Sequence, residues 1–135
     1  IVSLSGTSYS VDVSPDGRQL VLGSMNDRGH PIIVVCDLPA CANRRDFLLP
    51  ANAARNAGLF RFTPDGRGIA YPVGRGTNIW SLPLDGGAPS QLTHFSDDAA
   101  GPFIARFAWS RDGKRLALTR MTVVQDIVLF RGLVE

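Results

Sequence analysis

Apolar and polar residues alternate in short runs along most of this 135-residue chain. An alternating run, a tight turn and a second short apolar run follow one another three times. The alternating runs lie at 9–13, 59–62 and 106–109, and the runs after the turns lie at 19–22, 69–71 and 115–118. Alternation with a period of two is typical of a strand that buries one face. Each pair of runs therefore predicts an antiparallel hairpin.

The turn inside each hairpin recurs almost unchanged. It begins with Ser or Thr and carries Asp-Gly at its third and fourth positions, and the three aspartates are 49 and 47 positions apart. Glycine tolerates a positive φ and aspartate bonds its own backbone, so Asp-Gly favours a hairpin turn over a calcium site. The predicted structural turn residues are Asp16, Gly17, Asp65, Gly66, Asp112 and Gly113. A turn that recurs at such a period indicates a repeat architecture.

Further apolar runs follow in each repeat. A third run lies at 31–35, 78–82 and 126–130, and a fourth lies at 46–49 and 90–93. Four short antiparallel strands per repeat is how a β-propeller blade is built. The sequence therefore predicts an all-β chain that forms one propeller segment over residues 1–135. Its blades are expected at about 6–50, 58–95 and 104–131, with residues 1–5 as a closing strand.

The second repeat carries the most specific pattern. After Phe60 it reads Pro64-Asp65-Gly66, Asn78-Ile79-Trp80, Asp85-Gly86-Gly87 and Gln91-Leu92-Thr93. This pattern resembles the TolB-like β-propeller repeat, and the resemblance covers nearly the whole chain. The first repeat departs from it where residues 38–45 replace the Asp-Gly-Gly turn, and the third has Arg111 in place of proline.

The resemblance implies a function without catalysis. Propellers of this kind resemble sensor or scaffold regions of larger bacterial proteins, and the sequence has no kinase or hydrolase residues, so we expect a sensor or scaffold that binds a protein, a peptide or another ligand. The alternative is a regulatory propeller cut from a larger enzyme. Similar propellers occur in the C-terminal regions of bacterial receptor-like Ser/Thr kinases and in front of prolyl-oligopeptidase-type hydrolases. In that case the catalytic domain lies outside this chain.

The motifs of common enzymes are missing from the sequence. It contains no G-x-S-x-G elbow, no H-E-x-x-H, no P-loop and no C-x-x-C. His30 and His94 are the only histidines, and they belong to different repeats. We therefore predict no catalytic residues, no cofactor and no metal site.

Charge and hydropathy exclude two classes of partner. A dispersed net charge of +2 does not favour nucleic acid. No apolar stretch approaches the roughly 18 residues of a membrane-spanning helix, so this segment is not expected to insert into a membrane. Because the sequence begins at Ile1 rather than at methionine, we expect a fragment or a processed product.

The two cysteines, Cys36 and Cys41, leave two alternatives open. A metal site would need two more ligands, so the choice is between free thiols and a local disulfide. The resemblance slightly favours an extracytoplasmic location, where a disulfide would persist, whereas a cytosolic chain would keep both thiols reduced. We expect the two residues to lie close enough to bridge, because the turn at 38–39 folds the chain back.

The first strand of each repeat supplies the candidate ligand residues. Alignment on the turns assigns Val11, Val13, Phe60, Phe62, Phe107 and Trp109 to the core between blades. The intervening residues Asp12, Arg61 and Arg106 are then predicted to point toward the propeller axis, where charged side chains bind a polar ligand or a peptide. The alternative is that they pair with each other or with water in the channel.

The number of strands leads to a hypothesis about assembly. The third repeat has no fourth run, and residues 1–5 form an alternating run that no repeat uses. Three blades cannot close a ring of the usual four to eight. We therefore expect a homodimer in which two copies form a six-bladed ring by two-fold symmetry, with residues 1–5 of each chain beside residues 126–130 of the other.

Overall fold

The computed structural model describes residues 8–50, 53, 59–96 and 101–123. Within these ranges the chain forms ten β-strands in three antiparallel sheets and no α-helix, which confirms the all-β prediction. The strands are β1 (Ser8–Val13), β2 (Gln19–Met25), β3 (Pro31–Asp37), β4 (Ala42–Leu48), β5 (Arg61–Phe62), β6 (Gly68–Val73), β7 (Asn78–Pro83), β8 (Ser90–Gln91), β9 (Phe103–Trp109) and β10 (Leu116–Met121). The predicted strands at 1–5 and 126–130 lie outside the described residues.

The first blade is the sheet β1-β2-β3-β4, in which each strand pairs with the next along the chain. β4 begins at Ala42, earlier than the predicted 46, because the chain reverses direction within residues 38–41. Asp37 pairs with Ala42 immediately after this reversal. The outer strand of the blade is therefore longer than its apolar residues alone indicate.

The second blade repeats this order as β5-β6-β7-β8. Its central strand β6 is buried along its whole length, as expected for a sheet covered on both faces. The third sheet consists of β9 and β10, and Phe107 pairs with Leu118 at its centre. In the second blade the Asp-Gly turn lies between β5 and β6, and in the third sheet it lies between β9 and β10, as the sequence predicts.

The sheets pack face to face in chain order. Side chains from one face of the first blade and from the facing side of the second blade form one core cluster, which contains Val21, Ile33, Val35, Phe60, Phe62, Ile69, Tyr71 and Leu82. The other face of the second blade packs against the third sheet through Ala70, Ile79, Ile104 and Phe107. Burial of bulky side chains on both faces of the second blade therefore stabilises the stack.

The valines of β1 differ from the prediction. Val11 and Val13 are 58% and 46% exposed, whereas the equivalent Phe60 and Phe62 of the second blade are 1% and 3% exposed. The phenylalanines face the first blade, but the valines lie on the opposite side of that blade. No sheet among the described residues packs on that side, so the valines are not buried within this part of the chain as their equivalents in the second blade are.

Candidate functional site

The three Asp-Gly turns share one hydrogen-bonding scheme. In the second blade, the Thr63 hydroxyl and the Arg67 N–H donate to Asp65 Oδ1, at 2.6 and 3.0 Å. The Gly66 N–H donates to the Thr63 carbonyl at 2.8 Å, and the Gly68 N–H donates to the Thr63 hydroxyl at 2.9 Å. The same four bonds recur in the first and third turns at 2.5–3.1 Å. Each turn thus satisfies its own polar groups.

These bonds show that each turn aspartate stabilises its own hairpin turn. Two hydrogen bonds lower the pKa of Asp16, Asp65 and Asp112 below the ordinary 3.8. The bond from the Ser or Thr hydroxyl has the larger effect, and the bond from the backbone N–H has the smaller one. The glycines that follow adopt φ values of 73°, 68° and 70°. Sequence reasoning found the Asp-Gly pair but missed the role of the hydroxyl, although Ser or Thr stands two residues before each aspartate. In the part of the chain that the structure describes, no group of three His, Cys, Asp or Glu residues could hold a metal ion.

Consecutive turns lie side by side. A Cβ atom added to Gly66 would be 3.7 Å from Cδ of Pro15 in the preceding turn. A Cβ atom added to Gly113 would be only 2.6 Å from Cβ of Pro64. The turns therefore form a packed row at one end of the sheets, and the third glycine has the least room.

Asp12 forms a hydrogen bond between the first two blades. Its Oδ2 accepts a hydrogen bond of 2.9 Å from the N–H of Phe62, on the first strand of the second blade. Ser10 acts similarly, because its hydroxyl oxygen accepts from the N–H of Phe60 at 3.3 Å. Side chains project from the faces of a sheet, so those of an innermost strand reach the neighbouring blade. Asp12 therefore joins the first strands of two blades, and its role as a ligand residue stays a prediction.

Arg61 and Arg106 line one open cleft between the second blade and the third sheet. The cleft has a volume of about 690 Å³, and Leu59, Ala108 and Thr119 also line it. Arg61 is half-buried and donates from Nη1 to the carbonyl of Phe60 at 2.9 Å, while Arg106 is exposed. Of the three predicted ligand residues, the structure therefore places Arg61 and Arg106 in one cleft, which Asp12 does not line.

The two cysteines form a disulfide. Cys36 is buried at the end of β3, and its Cα lies 4.8 Å from that of Cys41 in the reversal before β4. Cys41 has a φ of 52°, a left-handed conformation that is uncommon for a residue with a side chain. The bridge closes the loop that replaces the Asp-Gly-Gly turn of the second repeat.

No helix long and apolar enough to cross a membrane is found within the described ranges.

Comparisons with known proteins concern the fold. No protein-family model and no curated protein matches the sequence. The structure is similar to TolB from Acinetobacter baumannii, with a TM-score of 0.60 and 27% identity over 85% of this chain and 26% of TolB. It is also similar to the acylaminoacyl peptidase of Pyrococcus horikoshii, with a TM-score of 0.51 and 20% identity over 83% of this chain and 17% of the peptidase. The chain thus spans about a quarter of TolB. Its blade-like sheets have the fold of part of a TolB-like β-propeller.

Proposed function

We propose that this chain is a non-catalytic propeller module that binds a protein or peptide partner. The observation that carries the proposal is the open cleft lined by Arg61 and Arg106. Its volume of about 690 Å³ lies within the range of ligand sites, roughly 300–1,000 Å³. Two guanidinium groups in one cleft provide several N–H donors that fit a polar or negatively charged partner.

The histidines give no evidence for a catalytic site among the described residues. His30 and His94 are both exposed and belong to different blades. Among the described residues, neither imidazole is hydrogen-bonded to a hydroxyl, a thiol or a carboxylate. A nucleophile activated by an adjacent base would need such a contact. The TolB-like fold agrees with a binding role.

A peptide library displayed on phage tests the binding role directly. The purified chain is immobilised, and the peptides that it retains are sequenced and resynthesised for titration. We expect a family of related peptides with micromolar affinity, which the chain unfolded in urea does not bind. Recovery of only unrelated sequences, equally retained by the unfolded chain, would contradict the proposal.

A regulatory propeller of a larger enzyme is the second candidate. The likeness to the acylaminoacyl peptidase structure supports it, since that fold is found in a peptidase. For this chain the attached domain would be a prolyl-oligopeptidase-type hydrolase or, as the alternative, a Ser/Thr kinase. Sequencing the reading frame on both sides of this segment tests the candidate. A hydrolase or kinase domain in that frame would support it, and further blades alone would contradict it.

A further inference from the structure

The cleft between the second blade and the third sheet continues beyond Arg61. A second cleft of about 700 Å³ adjoins it and shares Leu59, Ala105 and Arg106 with it. The second cleft adds Arg75, which is exposed in the turn between β6 and β7. We call the two together the arginine cleft, defined by Arg61, Arg75 and Arg106.

Backbone contacts fix the position of Arg75. It stands between Gly74 and Gly76, whose φ values of 71° and 87° let the turn reverse tightly. The carbonyl of Gly76 accepts a hydrogen bond of 2.7 Å from the N–H of Ile104 in β9. This bond ties the turn to the strand that carries Arg106. The two arginines therefore belong to one surface, although they come from different sheets.

Charge is unbalanced in this surface and nearly balanced elsewhere. The whole sequence has 14 Lys and Arg against 12 Asp and Glu. The described residues that line the arginine cleft include three arginines and no Asp or Glu. The structure shows no ion pair between any of the three and a described carboxylate. A ligand with negative charge would reduce the repulsion among these guanidinium groups.

Apolar side chains lie beside the arginines. Leu59 and Phe103 line the arginine cleft, and so does Met121, which is 47% exposed. A methionine is flexible enough to pack against different side chains. The cleft thus combines donors for carboxylates with an adaptable apolar surface.

We infer that the arginine cleft binds an extended peptide in which carboxylate side chains stand next to apolar ones. The inference rests on the proposed function and adds the chemistry of the partner. Each guanidinium can donate two parallel hydrogen bonds to a carboxylate, which fixes its position as well as its charge. A nucleic acid fits less well, because it needs an extended basic stripe and this chain has a net charge of +2.

Fluorescence anisotropy with defined peptides tests the inference. The probe is a short fluorescein-labelled peptide of alternating glutamate and leucine, titrated with the full chain at low salt. We expect Arg106→Ala and Arg75→Ala each to weaken binding about tenfold, the effect of losing a charge-assisted hydrogen bond. The matched control is Arg28→Ala, which removes an exposed arginine from the β2–β3 turn of the first blade and should bind normally.

Three results of the peptide titrations would overturn the inference. They are no binding of the peptide by the unaltered chain, equal binding by Arg106→Ala and Arg28→Ala, and equal affinity for the peptide with glutamine in place of glutamate. A labelled single-stranded oligonucleotide that binds as tightly as the acidic peptide would also overturn it. Unfolding midpoints of the variants show whether they fold. If library-selected peptides still bind while the acidic peptide does not, the proposed function stands and only this inference fails.

Discussion

At the scale of single residues, the turn glycines are equivalent in sequence but have different neighbours. A Cβ atom on Gly17 would meet nothing within 4 Å, whereas one on Gly113 would be 2.6 Å from Cβ of Pro64. An alanine at either site costs about 1–2 kcal/mol because of the positive φ. We expect Gly113→Ala to lose about 1–3 kcal/mol more, through overpacking. Urea unfolding of the two variants checks this, and equal losses would show that the turns are not packed together.

Acid should weaken the same turns. Their carboxyl pKa values are lowered from 3.8, chiefly by the hydroxyl hydrogen bonds, so the ionised form is favoured in the folded chain. A carboxyl group whose pKa is lower in the folded chain stabilises that chain at pH values above its pKa in the unfolded chain. This stabilisation is lost as the pH falls through the pKa of the folded chain. We expect the free energy of unfolding to change little from about pH 7 to 5 and to fall below about pH 4. Urea unfolding across this range measures it.

Asp65→Asn is the matched variant for the acid effect. Asparagine keeps an acceptor oxygen and tolerates the turn, so its loss of stability at neutral pH should be small, about 1 kcal/mol. Because asparagine does not titrate, the fall in stability below about pH 4 should be shallower than in the unaltered chain. If the free energy of unfolding fell equally with pH in both proteins, Asp65 would not contribute to the acid effect.

At the scale of elements, the disulfide holds the reversal between β3 and β4. The bridged residues are 5 positions apart, and closing so short a loop restricts the unfolded chain by about 2 kcal/mol. Reduction should therefore lower the free energy of unfolding by about that amount. Urea unfolding with and without reductant measures the loss. The double variant Cys36→Ala with Cys41→Ser is the control, and an equal response to reductant there would contradict the prediction.

Asp12 connects the first and second blades through a single hydrogen bond. Phe62 is 3% exposed, so removing the carboxylate leaves its N–H buried without an acceptor, at a cost of about 1–3 kcal/mol. We expect Asp12→Ala to speed amide hydrogen exchange at Phe62 and Asp12→Asn to preserve its protection. Unchanged exchange in Asp12→Ala would show that the bond is not maintained in solution.

The hairpins could be predicted from the sequence because their causes are local. Alternating residues and an Asp-Gly turn act within about ten positions, so the strands around Asp65 lie where the pattern places them. The orientation of Asp12 depends on a neighbouring blade 50 positions away, and no local pattern encodes it. The same holds for Arg75 and Arg106, which a backbone bond from β9 brings to one surface. The candidate site was therefore only partly predictable.

At the scale of the whole molecule, the first blade presents an apolar side that its neighbour in the chain does not cover. Val11 and Val13 are exposed there, although their equivalents Phe60 and Phe62 are buried by the packing of the first blade on the second. Another sheet that packed on this side, in the way that the second blade packs on the first, would bury these valines. We propose that a second copy of the chain covers this side of the first blade, since exposed apolar patches favour association.

Self-association of the chain in solution tests this proposal. We expect sedimentation equilibrium at micromolar concentration to show a dimer, as in the predicted two-fold ring, and Val13→Lys to shift it to monomer because a buried ammonium group is costly. Leu92→Lys is the matched control: Leu92 is also partly exposed, at 38%, but it follows β8 in the second blade. A folded monomer of the unaltered chain would refute the dimer. A dimer that survives Val13→Lys but not Leu92→Lys would place the contact on the second blade instead.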